Sequence, residues 1–291
     1  MPGGRSRTFR LGDRSELLVQ HLLTGIAFTT PVPRQEDVGI DFFCTLMTGY
    51  DDPSLLKAGT FFSAQAKSSQ EPLVYEKPHE LEWITNQENP LLLCIADREE
   101  SAMDVYSTWN LLCAVLNGWH GQKRASSIRL VPGKGSSEWP GVVDNPDGSQ
   151  DVLLGKPIIR IAHHQIFDEV STKEILAVIE KWIALDRENI VNRHAGLNWV
   201  AGPIAYETGK PPAPGLAVSF YWNPNNLAQC ALNLGRSATA LWRVLHHGGM
   251  PKEALTQDGF GPAIPSLREL LRWLRTVDPS LNNLLQDIDQ K

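Results

Sequence analysis

The sequence predicts a mixed α/β fold, on three observations. Segments with helical spacing of apolar residues alternate with short apolar runs of strand length. The order is helix, strand, strand, helix, strand, strand, helix as far as Trp119. The composition, 42% hydrophobic and 21% charged over 291 residues, is that of a globular chain forming one large domain or two ordinary ones. No internal repeat or low-complexity tract interrupts it, and apolar runs such as "PLLLCIA" are too short to span a bilayer, so no membrane is expected as a partner.

The N-terminus, "MPGGRSRTFR", has basic residues with no apolar segment behind them, and reads as a short arm, not a secretory signal. A helix is expected from Asp13 to about Thr24, where Leu17, Leu18, Val19, Leu22 and Leu23 make a broad apolar face. Asp13 can cap its start and Gly25 can end it. "TTPVPRQEDVGIDFFCTL" moves through a proline-marked loop into an extended run ending near Leu46. "GYDDPSLLKAG" reads as a turn before a strand from about Thr60 to Lys67. A short helix within "HELEWITNQENP" is followed by a buried strand, Leu91 to Asp97, a turn at "REES", a strand in "AMDVYST" and a helix in "STWNLLCAVLNGW". Gly133 to Gln150 is rich in Gly, Pro, Ser and Asp and reads as a long loop, with a strand in "KPIIRIA" after it.

The rest differs in character. An amphipathic helix is expected from Thr172 to about Val191, then a proline-rich connection, "GPIAYETGKPPAPG", a strand in "LAVSFYW" and a helix in "LAQCALNLGRSATALWRVLHH". Helices in "SLRELLRWLRTV" and "SLNNLLQDI" close the chain. This change divides the chain into an α/β region, residues 1–170, and a mainly helical region, residues 171–291. Oligomerisation, sensing and partner binding are all open roles for the second.

The net charge of −6 argues against a protein that coats nucleic acid by charge alone. Basic residues could still gather locally: Arg5, Arg7, Arg10 and Arg14, then Lys123, Arg124 and Arg129; ordinary solvated surface is the plainer role for each. The four cysteines, Cys44, Cys94, Cys113 and Cys230, form no CxxC pair, so neither a zinc ribbon nor a disulfide framework is indicated. Buried free thiols in a reducing cytoplasm are expected.

Chemistry concentrates in the first seventy residues. Glu16 lies in the first helix, Asp41 ends "VGID", and Gln65 and Lys67 lie on the strand "FFSAQAKSS". On a strand Gln65 and Lys67 project to one side. Acidic and amide oxygens suit Mg²⁺, which polarises a phosphate and lowers the pKa of a bound water. A nearby lysine can orient that water or neutralise charge developing on phosphorus.

These segments, "SELLVQHLL", "DVGIDFFCTL" and "FFSAQAKSS" followed by "NPLLLCIAD" and "DVYST", resemble the DUF4365 family of PD-(D/E)xK nucleases over roughly residues 10 to 165. The resemblance implies a restriction-endonuclease-like core, a mixed central sheet flanked by helices, to which the chain's own pattern adds the mainly helical C-terminal region. It implies a Mg²⁺-dependent endonuclease, with Mn²⁺ as a possible substitute, acting on DNA more than RNA in prokaryotic defence against phages or plasmids. A homo-oligomer or a defence-system partner protein is a possible associate. Glu16, Asp41, Gln65 and Lys67 are the implied catalytic residues, and Glu16, Asp41, Gln65 and the carbonyl of Ala66 the implied metal ligands. Gln65 departs from the Asp or Glu of the wider superfamily but matches the QxK form of this family.

Plainer roles stay open. After an Asp13 cap, Glu16 could complete a capping box; Asp41 could be a turn residue after Gly39; Lys67 could be the strand's solvated end. The whole could be a catalytically silent module that binds nucleic acid or protein, or an effector subunit active only in a complex. Other features carry less. Gly155-Lys156 precedes Pro157 without a phosphate-loop pattern, "GRSAT" is no nucleophile elbow, and the adjacent pairs His163-His164 and His246-His247 lack helical metal spacing. The tryptophans suit core packing better than base stacking.

Overall fold

The computed structural model describes residues 7–33, 39–49, 56–114, 125–133, 140–194, 200–203 and 205–213. The chain divides into two units, Met1–Asn192 with Trp199–Tyr221, and Arg193–Asn198 with Trp222–Lys291. The described residues fall almost wholly in the first. The expected strand in "LAVSFYW", all helices after it, the second half of the helix expected in "STWNLLCAVLNGW", and Arg5, Lys123, Arg124, Cys230 and His246-His247 lie outside the described residues.

The elements run α1 (Arg7–Thr24), β1 (Ala27–Pro31), β2 (Phe42–Gly49), β3 (Leu56–Lys67), β4 (Leu73–Tyr75), α2 (Pro78–Thr85), β5 (Leu91–Asp97), β6 (Ala102–Ser107), β7 (Ile128–Pro132), β8 (Gly141–Asp144), β9 (Gln150–Gly155) and β10 (Ile159–Ala162). A 3₁₀ turn, His163–Phe167, leads into α3 (Glu169–His194). This is an α/β architecture with two mixed sheets. The first has six strands in the order β1-β2-β3-β5-β6-β10, antiparallel except for the parallel pair β3 and β5. The second has the order β4-β7-β9-β8, with β7 and β9 parallel.

Two cores cover the two faces of the six-stranded sheet. On one, Val19, Leu22 and Leu23 of α1 and Val178, Ile179, Trp182 and Ile183 of α3 meet Phe42, Phe62, Ala64, Leu92 and Cys94. On the other, Leu91, Leu93, Ile95 and Tyr106 meet Ile84 of α2 and Tyr75, Ile128, Leu130 and Val152 of the second sheet. Strand β5 is therefore buried on both faces, which is why "LLLCIA" is continuously apolar instead of alternating. Fully burying one such leucine contributes about 1.5–3 kcal/mol.

Besides the start of β3, where residues 56–59 were expected in a turn, the structure departs from the sequence expectations in four places. First, α1 begins at Arg7, not Asp13, so Asp13 is no cap and Arg7 to Arg10 are helical, not an arm. Second, Gly25 ends the helix without left-handed backbone; a Cβ there would meet the Ile166 Cβ at 2.5 Å, so close packing is what requires glycine. Third, part of the proline-marked loop is the edge strand β1, and the loop expected at 133–150 contains β8 and the start of β9. Asn145 to Ser149 is only their turn: Gly148 donates to the Asn145 carbonyl at 3.0 Å with φ +83°. Strands β4, β7, β8 and β9 were hidden because they are short, and because the pairs β4–β7 and β7–β9 join segments distant in sequence.

Fourth, α3 contributes to the first core, so the compact unit continues past residue 170. Its apolar stripe covers the same sheet face as α1. Asn189, buried further along the helix, donates to the carbonyls of Trp109 (3.2 Å) and Ala201 (2.9 Å) and accepts from the Ala201 N–H (2.7 Å). No helix among the described residues is long and apolar enough to cross a membrane.

Candidate functional site

Strand β3 carries most of the site. Phe62 and Ala64 point into the helix-covered core, and Ala66 packs at its margin. Alternation sends Ser63, Gln65 and Lys67 to the opposite face, as expected.

Asp41 sits at the corner that opens β2. Gly39 makes that corner with φ +81°, and a Cβ on it would lie 3.0 Å from the Trp83 ring, so both backbone and space call for glycine. The corner is then tied down on three sides. The Asp41 N–H donates to the Ala64 carbonyl at 3.0 Å, Val32 donates to the Asp41 carbonyl at 2.8 Å, and the Ala66 N–H donates to Asp41 Oδ2 at 2.7 Å. In a strand, the N–H and C=O of one residue point to the same side. The Ala66 carbonyl is therefore also directed towards the β2 side, beside Asp41.

Gln65 accepts a hydrogen bond at Oε1 from the Tyr75 hydroxyl, 3.2 Å away on β4 of the second sheet. Lys67 donates from Nζ to the carbonyls of Glu71 (2.6 Å) and Pro72 (3.1 Å), in the link from β3 to β4. That is how the fold accommodates the half-buried ammonium of Lys67. Burial pulls its pKa below the ordinary lysine value, against the opposing charge of Glu71.

Glu16 lies nine residues into α1, well past the first turn, so the capping role open to it in the sequence is excluded. It lines one cleft of ≈ 640 Å³ together with Asp41, Gln65, Ala66 and Lys67. All residues singled out from the sequence thus border a common space. Asp13, one helical turn before Glu16, lines it too. The i, i+3 spacing of Asp13 and Glu16 is the sequence signal for this, and it competes with the N-cap role that Asp13 also suits. Tyr75 left no sequence signal, since its strand is three residues long.

The donors bordering the cleft suit a hard cation in kind: the carboxylates of Asp41 and Glu16, the amide oxygen of Gln65 and the carbonyl of Ala66 are all oxygen ligands. Among the described residues no group of three or more His, Cys, Asp or Glu is placed to hold a metal ion. The candidate set is two carboxylates, an amide and a carbonyl, with its anionic charge on Asp41 and Glu16, and Asp13 borders the same cleft.

Other polar pairs serve the scaffold. Arg129, a candidate for a basic face, pairs with Asp151 across β7 and β9 at 2.5 Å, and Arg160 bridges Asp97 and Asp104 at 2.5 and 3.0 Å. His163 stacks on His21 with ring centroids 5.1 Å apart. Cys44 and Cys94 are free and fully buried, and burial raises the Cys44 thiol to about 12, so neither is a nucleophile. Comparison with known proteins finds no matching family model, no matching curated protein and no matching solved structure.

Proposed function

We propose that the chain is a metal-dependent nuclease that hydrolyses phosphodiester bonds of DNA, with a restriction-endonuclease-like core, in a prokaryotic defence setting. The observation that carries the reading is the shared cleft: Glu16, Asp41, Gln65, Ala66 and Lys67 border it, and the Ala66 N–H holds Asp41 Oδ2 at 2.7 Å. The mixed sheet with its parallel β3–β5 pair and its flanking helices supports the core implied by the family resemblance.

In this reading Asp41 and Glu16 supply negative charge for Mg²⁺, and the oxygens of Gln65 and Ala66 complete the set. The bound ion supplies Lewis acidity to the phosphate and lowers the pKa of a water. Asp41 keeps a fixed orientation because its second oxygen is held by β3. Lys67 neutralises charge that develops on the phosphate oxygens. Its ammonium has three N–H donors, of which the carbonyls of Glu71 and Pro72 take two, so the third is the one to face the substrate.

A second reading rests on that same observation. With Lys67 bound to two carbonyls and Gln65 to Tyr75, the chain could instead be a catalytically silent module that binds nucleic acid or protein. Plasmid cleavage with Mg²⁺ or Mn²⁺ separates the two. The nuclease reading expects cleavage by the native chain and its loss in Asp41→Ala and Lys67→Ala. Cleavage that survives both substitutions refutes the site. DNA binding without cleavage under either metal favours the silent module.

A further inference from the structure

We infer that Tyr75 is a positioning residue that sets the orientation of the Gln65 amide, and so lets a neutral glutamine serve as an oxygen donor to a divalent cation; this rests on the metal site proposed above. A carboxylate presents oxygen whichever way it is turned. An amide does not: half a revolution about its last bond replaces the oxygen with an NH₂ group, which repels a cation. A site that uses Gln where a carboxylate would serve therefore needs something to choose the orientation.

The Tyr75 hydroxyl is placed to make that choice. It donates to Gln65 Oε1 at 3.2 Å, which leaves the second lone pair of that oxygen for a cation. The phenol itself is held firmly. Tyr75 is only 5% exposed, and its ring lies against Trp83 with centroids 5.9 Å apart. The same Trp83 ring covers Gly39, at the corner that positions Asp41. One aromatic pair thus braces both the amide and the backbone corner of the carboxylate. The brace comes through β4 and α2, two elements that contribute no proposed ligand.

The test is a double-mutant cycle read by calorimetric Mn²⁺ binding to the full chain, with thermal midpoints recorded alongside. Tyr75→Phe is expected to weaken Mn²⁺ binding about fivefold or more, the scale of one lost hydrogen bond. In the Gln65→Glu background, where the side chain is symmetric, Tyr75→Phe is expected to change binding by less than about twofold. A merely structural role would weaken binding equally in both backgrounds, and that result overturns the inference. So does unchanged binding in Tyr75→Phe while Asp41→Ala abolishes it. If the native chain binds no Mn²⁺, or Asp41→Ala binds it equally well, the metal site itself fails and this inference falls with it.

Discussion

Gly39→Ala should damage both stability and the site, and its cost can be worked from the corner it occupies. Gly39 has φ +81°, and forcing alanine into that left-handed region costs about 1–2 kcal/mol. Its Cβ would lie 3.0 Å from two atoms of the Trp83 ring, and pushing a packed ring aside costs about 1–3 kcal/mol more. The loss of backbone freedom in the unfolded alanine chain returns about 0.4–1 kcal/mol. The net expectation is a destabilisation of about 1–4.5 kcal/mol. Urea and thermal unfolding of the purified chain measure it, with Gly12→Ala as the comparison. Gly12 lies inside α1, and a Cβ there meets no atom within 4 Å, so alanine should stabilise by about 0.5–1 kcal/mol. The two glycines thus predict opposite signs. Because Asp41 follows the corner by two residues, Gly39→Ala should also weaken Mn²⁺ binding in the chain that remains folded. A Gly39→Ala midpoint equal to or above the native one would refute the reasoning.

Three further outcomes follow from the same geometry. Asp41→Asn keeps an oxygen that can accept from Ala66, so stability should change by less than about 1 kcal/mol while cleavage is lost; Asp41→Ala leaves that N–H without its acceptor and should cost about 1–3 kcal/mol besides. Asn189→Leu strips the Ala201 N–H and the carbonyls of Trp109 and Ala201 of their partner in a buried site, for a loss of about 2–5 kcal/mol by urea melt; a change under about 0.5 kcal/mol would contradict the assignment. Lys67 has a folded-state pKa below its ordinary 10.5, so the unfolded chain holds that proton more tightly and stability should rise with pH between the depressed pKa and 10.5. Lys67→Met should flatten that rise, and the alkaline limb of cleavage should fall below 10.5.

How much was legible depended on how locally each feature is encoded. Strand β5 and helix α3 were readable, because six consecutive buried residues and a 26-residue amphipathic helix each carry their own pattern. Glu16, Asp41, Gln65 and Lys67 were readable as residue types on particular elements. The four strands of the second sheet were not, since three to six residues with half-buried alternation look like loop until their distant partners are known.

Sequence alone determined that Gln65 and Lys67 share a face, since strand alternation needs no partner to operate. It also placed a glycine two residues before Asp41, where only glycine fits. The tertiary structure decided the rest. It showed that α1 starts a turn and a half before Asp13, which frees Glu16 from the cap and brings Asp13 to the cleft. It turned Lys67 to the carbonyls of Glu71 and Pro72, and brought Tyr75 from a second sheet onto Gln65. Contacts of this kind depend on where separate elements come to rest against one another, and no periodicity within a single segment records that.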